Sequence, residues 1–205
     1  MSGNAWISRA PAHASNLRPL RHSLSDDDTK LELVRNAQKR IESGEPVGLE
    51  CLPEEIYGAP HAKEKDYNLP DIFFAYGYWA VSKAAADVMR QFDLGRASLS
   101  AVRVLKKDRS TPVGGEWLLI VFGNHKNTVV AEASPGLRPF VRDIFSTSSK
   151  LEDGQIALRS EALLSPELWV EKKIDSAILF SWELGSALKK AKADKGLFLK
   201  QCRIV

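Results

Sequence analysis

The chain has 205 residues, of which 44% are hydrophobic, and a formal net charge of +3. This hydrophobic content is sufficient for a packed core, so the chain needs neither disorder nor a disulfide scaffold to account for it. No segment reaches the ~20 apolar residues of a membrane-spanning helix, and no apolar stretch of a secretory signal follows Met1. We therefore expect a soluble, cytoplasmic protein that does not enter a membrane.

The predicted elements begin with an N-terminal arm over residues 1–25, which contains prolines, shows no sustained periodicity and includes at most one short strand near Trp6 and Ile7. Residues 26–205 are predicted to form a single α+β domain. Its first helix is predicted to start at Asp26–Asp28, because carboxylates accept hydrogen bonds from the free N–H groups of a helix N-terminus. This helix is predicted to continue to about Ser43.

The middle of the chain contains a first apolar strand, predicted over residues 70–76. Ser82 is then predicted to cap a helix, which is followed by a basic strand over Ser98–Lys106. Trp117–Phe122 and Thr128–Ala133 flank five polar or glycine residues and are predicted to form a β-hairpin. The middle of the chain is therefore predicted to contain mainly strands.

The C-terminal third is irregular at first and then regular. Its predicted elements are one short helix over Leu137–Phe145, strands over Leu168–Lys173 and Ala177–Phe180, a helix over Trp182–Ala193 and a strand over Leu197–Val205. Strands outnumber helices and do not alternate strictly with them, which indicates the α+β class. We expect a mixed, mainly antiparallel sheet with about three to four helices.

One segment is predicted to occur twice. Residues 71–82 run from an apolar strand through an aromatic turn to a serine, and a helix and a basic strand follow. Residues 177–186 repeat this order near the C-terminus. The sequence therefore predicts two similar strand–helix–strand units.

Motifs for catalysis or metal binding are not found in the sequence. The four histidines occur singly, and Cys51 and Cys202 show no C-x-x-C spacing. Glycines do not follow the spacing of phosphate-binding loops, and no G-x-S-x-G segment marks a nucleophile. We expect two reduced thiols, no metal, no cofactor and no catalytic residue.

Aromatic residues in the repeated segments are the best candidates for a binding site. Tyr76, Tyr78 and Trp79 form one turn, and Trp182 with Glu183 forms the other. Core packing, a protein-binding surface and base stacking all remain possible for these rings. Tyrosine and tryptophan frequently anchor protein interfaces, which favours a protein partner over a nucleic acid.

Two regions of the chain, about residues 66–134 and 165–205, resemble a bacterial protein family. LPDIFF at residues 69–74, followed by AVSK at 80–83 and a helix, is similar to a signature of the form PD-(F/I)-F…(V/I)-(V/L)-S. The hairpin ending at residues 130–134 and the GLF at 196–198 are also similar to this family. It is grouped with the immunity proteins of polymorphic toxin systems.

This resemblance implies a protein that binds and occludes a cognate toxin in the cytoplasm and has no catalytic residue. Acidic residues would suit a basic nuclease as the toxin. The predicted contact residues are therefore Tyr76, Tyr78, Trp79, Trp182, Glu183, Asp26, Asp27 and Asp28. Two alternatives remain: a nucleic-acid-binding protein that uses the basic strands and aromatic turns, and a non-enzymatic secretion-system adaptor.

Overall fold

The structure, a computed structural model, describes residues 4–205. Over this range it contains three α-helices: α1 (Leu31–Glu42), α2 (Lys83–Met89) and α3 (Trp182–Lys190). The strands of the same range are β1 (Asn4–Ser8), β2 (Leu20–His22), β3 (Glu55–Gly58), β4 (Ile72–Ala75), β5 (Tyr78–Ser82), β6 (Ser98–Leu105), β7 (Trp117–Val121), β8 (His125–Lys126), β9 (Leu137–Val141), β10 (Ile144–Thr147), β11 (Ile156–Leu158), β12 (Leu168–Glu171), β13 (Ile178–Ser181) and β14 (Lys200–Ile204). The predicted α+β class is confirmed. No helix of this range has the length and apolar character to cross a membrane.

The strands form two six-stranded sheets and one separate hairpin, β9–β10. The first sheet has the order β2-β3-β6-β7-β5-β4, and the second has the order β11-β14-β1-β13-β12-β8. Both sheets are mixed, because β3 pairs in parallel with β6, and β11 and β8 pair in parallel with β14 and β12. Two mixed sheets therefore replace the single, mainly antiparallel sheet that the sequence predicts.

Five neighbouring strands follow the same order in both sheets. The order β3-β6-β7-β5-β4 of the first sheet corresponds to β11-β14-β1-β13-β12 of the second. Helix α2 joins β5 to β6 just as α3 joins β13 to β14. Both helices have a serine cap: Ser82 accepts a hydrogen bond from the backbone of Ala85, and Ser181 accepts one from Leu184. Strands β3–β7 with α2 are the first unit, and β11–β14 with α3 and β1 are the second.

The correspondence between the units differs from the predicted one. The sequence suggests that β4 corresponds to β13, whereas the strand order matches β4 with β12. A proline and an acidic residue precede each of these two strands, and the capping serine donates a hydrogen bond to that acid. Ser82 Oγ lies 2.7 Å from Asp71, and Ser181 Oγ lies 3.0 Å from Glu167. The second unit has no aromatic turn, because Trp182 is the first residue of α3.

The N-terminal residues are part of the sheets and do not form an arm. Strand β1 lies between β13 and β14, and Ala5 and Ile7 are fully buried. Strand β2 forms an edge of the first sheet. The short strand predicted near Trp6 and Ile7 corresponds to β1, but its place in the sheet is not predicted, because a short strand that is buried on both faces shows no alternation of polar and apolar residues. Residues 1–3 of the predicted arm lie outside the described residues.

Two other predicted elements also take a different form. The chain does not turn back after β7; instead, β8 crosses to the second sheet and pairs with β12. The Asn124 side chain holds this crossing, because it donates to the carbonyls of Leu94 and Leu168 and accepts from the Arg96 N–H at 2.7, 3.0 and 2.9 Å. The helix predicted over Leu137–Phe145 is the β9–β10 hairpin.

The two units exchange short segments at their boundary. His125 of β8, which follows the first unit, pairs with Val170 of β12 in the second unit. In the opposite direction, Leu17, which follows β1, forms a parallel bridge with Phe74 of β4. One cluster of buried apolar side chains includes residues of both sheets. The boundary between the units is therefore packed as a protein core.

Candidate functional site at the Tyr76 turn

The hairpin between β4 and β5 presents an exposed tyrosine. Its two turn residues, Tyr76 and Gly77, have φ values of 47° and 101°, as in two-residue hairpins of type I′. Tyr76 is 55% exposed, although a bulky residue at positive φ is unfavourable by about 1 kcal/mol. Helix α1 holds the turn, since Gln38 Nε2 donates to the Tyr76 carbonyl oxygen at 2.9 Å. A rigid turn thus presents an aromatic ring to solvent.

A groove of about 530 Å³ lies on one side of this turn. Tyr76, Phe74 and Leu17 contribute apolar surface to it, and Leu17 is 56% exposed. Arg18 and Arg21 also line the groove. Exposed apolar side chains that occur singly are normal in proteins. A tyrosine beside two arginines has instead the composition of a protein-interface hot spot.

The arginines make the groove positively charged. Arg18 Nη2 donates to the Asn68 carbonyl oxygen at 3.2 Å, whereas its shielded Nε has no hydrogen-bond partner within the described residues. No carboxylate of residues 4–205 lies within 4.0 Å of Arg18 or Arg21. The groove therefore has guanidinium donors available for the acceptors of a binding partner.

A cavity of about 140 Å³ lies on the other side of the turn. The rings of Phe74, Trp79 and Phe122 form part of its wall, and the centroids of Phe74 and Trp79 are 5.1 Å apart. Glu42 and Ser176 line it and are exposed, so they mark its opening. Because Phe74 also lines the groove, the two depressions are adjacent.

The cavity lies where the two units meet. Corresponding positions of β4 and β12 contribute Phe74 and Val170, and corresponding positions of β5 and β13 contribute Trp79 and Ile178. Helix α1 adds Ile41 and has no helical counterpart in the second unit. Corresponding strands of the two units and helix α1 therefore contribute to the cavity wall.

A buried histidine lies beneath the exposed tyrosine. His22 is fully buried, and its ring centroid is 5.5 Å from that of Tyr76 and 5.0 Å from that of Tyr78. Neither ring nitrogen has a hydrogen-bond partner within the described residues. Burial lowers the pKa of His22 to about 4, although the charge of Asp26 acts in the opposite direction. His22 is therefore neutral at pH 7.

Two predicted contact residues lie near Tyr76 but are engaged within the protein. Tyr78 is 1% exposed, and its hydroxyl donates to a backbone carbonyl at 2.6 Å, so its prediction as a surface residue is wrong. Asp26 accepts a hydrogen bond from the Tyr57 hydroxyl and lies 2.8 Å from Arg109. Of these residues, Tyr76 alone presents a free aromatic ring.

The remaining predicted contact residues lie elsewhere, apart from Trp79 in the cavity wall. Asp27 caps the 3-10 helix Asp28–Lys30, and α1 starts only after this helix. Trp182 stacks on Trp6 with their ring centroids 4.8 Å apart. Glu183 follows it on the exposed first turn of α3. The predicted residues therefore do not form one surface.

The basic strand is largely neutralised by acidic neighbours. Arg103 pairs with Glu55, and Lys106 lies 2.8 Å from Glu64. Arg109, which follows this strand, lies 3.7 Å from Glu55 in addition to its contact with Asp26. Exposed pairs of this kind add only about 0–1 kcal/mol each to stability. They nevertheless leave less unpaired positive charge for a phosphate backbone than the sequence suggests.

The sequence gives no signal for one buried charged cluster in the second unit. Lys126 Nζ lies 3.9 Å from the Trp169 ring centroid and donates to the Ala162 carbonyl oxygen, and burial lowers the pKa of Lys126 to about 8. Glu171 is buried and accepts hydrogen bonds from the backbone and hydroxyl of Thr128, and burial raises its pKa. Each of the two charged groups therefore has its own hydrogen-bond partners within the second unit and the chain next to it, as buried polar groups require.

Comparison with known proteins adds no assignment. No protein-family model matches the sequence, and no curated protein matches it. Within residues 4–205, no three His, Cys, Asp or Glu side chains are placed to hold a metal ion together. The surface around Tyr76, with its groove and cavity, is thus the principal indication of function.

Proposed function

We propose that this chain is a binding protein that holds a protein partner on the surface around Tyr76 and catalyses no reaction. The observation that carries the proposal is the exposed Tyr76 ring beside Leu17 and the two groove arginines. Aromatic and arginine side chains contribute much of the binding energy of protein interfaces. Helix α1 fixes the turn before binding, which reduces the entropy that the complex loses on association.

The proposed partner is a cognate bacterial toxin, and the chain would then be an immunity protein that acts by occlusion in the cytoplasm. Support comes from the resemblance of residues 69–74 and 80–83 to immunity proteins, since these segments form the hairpin strands that carry Tyr76. An inhibitor of this kind needs a rigid scaffold and a complementary surface. The positive groove favours an acidic contact face on the toxin.

Co-expression with the toxin encoded by the neighbouring gene tests this proposal. We expect restored growth of the producing cells and a stoichiometric complex on gel filtration. Independent migration of the two purified proteins would refute the proposed partner. A complex that forms but leaves the toxin active would refute occlusion.

The substitution Tyr76→Asn separates binding from folding. Asparagine accepts positive φ better than tyrosine and suits the first position of a type I′ turn, so we expect an unchanged or slightly higher free energy of unfolding. Removing the exposed ring is expected to weaken partner binding at least about tenfold. Isothermal titration calorimetry measures the affinity, and urea unfolding measures the stability.

Phe140→Asn is the matched control, because Phe140 is 58% exposed on the separate β9–β10 hairpin. We expect this variant to bind the partner as the unmodified protein does. Equal affinities for the Tyr76→Asn variant and the unmodified protein would contradict the assignment of the surface.

A further inference from the structure

The cavity beside the Tyr76 turn combines aromatic walls with negative charge at its opening. Glu42 lines the opening, and the neighbouring Asp175 is exposed. Partial burial of the carboxylate, and then the charge of Asp175, raise the pKa of Glu42. In residues 4–205, no Lys, Arg or His nitrogen lies within 4.0 Å of either carboxylate. A cation at this position would therefore relieve an existing repulsion.

The lysines of the chain do not fill this role. Lys39 and Lys172 line an adjoining depression that also includes Glu42 and Asp175. Neither lysine lines the cavity itself, and neither forms an ion pair with these carboxylates. Within the described residues, no side chain fills the apolar cavity and no cation pairs with the carboxylates at its opening.

We propose that the cavity receives a lysine side chain of the protein partner, with its ammonium group at Glu42 and its methylene chain against Phe74 and Trp79. An ammonium group is attracted both to a carboxylate and to the face of an aromatic ring. The compact head and four-carbon stem of lysine suit a volume of about 140 Å³ better than the broad, planar guanidinium of arginine.

The position of the cavity connects this inference to the proposed function, on which the identity of the occupant as a partner side chain rests. Leu17 and Phe74 line both the groove and the cavity, and the Tyr76 turn lies between them. A partner segment in the positive groove therefore passes close to the negative opening. Alternating charge along one surface sets the register of a partner and disfavours incorrect ones.

Titration of the full chain with n-butylammonium chloride tests the cavity without any partner. The probe reproduces the side chain of lysine, and the indole N–H resonance of Trp79, identified with a Trp79→Phe variant, reports binding in NMR spectra. We expect a saturable shift with a millimolar Kd, since so small a ligand gains little binding energy. The neutral analogue n-butanol is expected to bind about fivefold more weakly.

Glu42→Gln is expected to weaken n-butylammonium binding about fivefold. Glu45→Gln is the matched control, because Glu45 is also exposed, lies just beyond α1 and does not line the cavity, although it pairs with Arg40 at 3.4 Å. We expect this control to bind the probe unchanged. Thermal unfolding of both variants confirms that they fold.

Three results would overturn the proposal: no saturable shift at Trp79, equal affinity for n-butanol, or tighter binding of n-propylguanidinium than of n-butylammonium. These results leave the proposed function intact if Tyr76→Asn still weakens the toxin complex. Conversely, if the probe binds but no toxin complex forms, the proposed function is refuted and the assignment of an ammonium-binding cavity stands.

Discussion

Between pH 6.5 and pH 4, the free energy of unfolding is expected to fall by about 3 kcal/mol because of His22 alone. This side chain is fully buried beneath Tyr76, and its pKa is lowered from 6.5 to about 4 in the folded protein. Each pH unit between these two values corresponds to ~1.4 kcal/mol. Few single side chains have an effect of this size.

The direction follows from the protons bound in each state. Between the two pKa values the unfolded chain binds a proton at His22 and the folded chain does not, so acid favours unfolding. The contribution of His22 to stability is fully present above pH 6.5 and is lost as the pH falls towards 4. Burial causes the shift, the charge of Arg21 adds to it, and Asp26 opposes it.

Comparison of the unmodified protein with a His22→Phe variant isolates this effect. Phenylalanine keeps a planar ring between the two tyrosines and does not titrate, so we expect a flatter pH profile and no loss of stability at pH 7. His61→Gln is the control, because His61 is exposed. Urea unfolding at several pH values measures the difference. Parallel profiles for the His22→Phe variant and the unmodified protein would show that His22 can be protonated in the folded state.

Gly196→Ala is expected to destabilise the protein by about 3 kcal/mol. Gly196 follows α3 and has a φ of +96°. A Cβ atom there would lie 2.8 Å from the Ile72 carbonyl oxygen and 3.0 Å from the Pro70 Cβ, both in or next to β4 of the other unit. Alanine would therefore combine unfavourable backbone conformation with a clash between the units.

Gly154→Ala separates these two causes. Gly154 has a φ of +78°, but an added Cβ would have no atom within 4 Å. We expect this control to lose only about 1 kcal/mol, the cost of the backbone conformation. Gly95→Ala should resemble Gly196→Ala, because its Cβ would lie 2.8 Å from the Pro166 Cβ in the corresponding contact. Urea unfolding measures these losses of the free energy of unfolding. Equal losses for Gly196→Ala and Gly154→Ala would show that the contact between the units relaxes around the added methyl group without an energetic penalty.

Local signals in the sequence are sufficient to predict some elements of the fold and not others. Ser82 predicts the start of α2 because a cap depends only on residues within one turn. The pairing of β1 with β13 and β14 depends on contacts between the two ends of the chain, which no local pattern reveals. The sequence shows that a unit is repeated, but the predicted alignment of the two copies is wrong. Each unit has two apolar strands of similar composition, so β4 is matched with β13 instead of β12.

The candidate site shows the same limit. The aromatic composition of its turn singles out Tyr76, yet the same signal selects Tyr78, which is buried. Tyr78 is the first residue of β5 and is buried, whereas Tyr76 is a turn residue at positive φ, so the bounds of the hairpin have to be known before the exposed ring can be chosen. The cavity could not be predicted, because Glu42, Trp79 and Ser176 come from separate parts of the chain.

The place of β1 in the second sheet has a consequence for protein synthesis. The first unit is contiguous and can pair its strands as they leave the ribosome, whereas β1 is made first and its neighbours β13 and β14 are made last. Ala5 and Ile7 of the nascent chain therefore lack their native partners during most of translation. We expect the first unit to fold ahead of the second, and newly made chains to depend on the late capture of β1 to avoid aggregation.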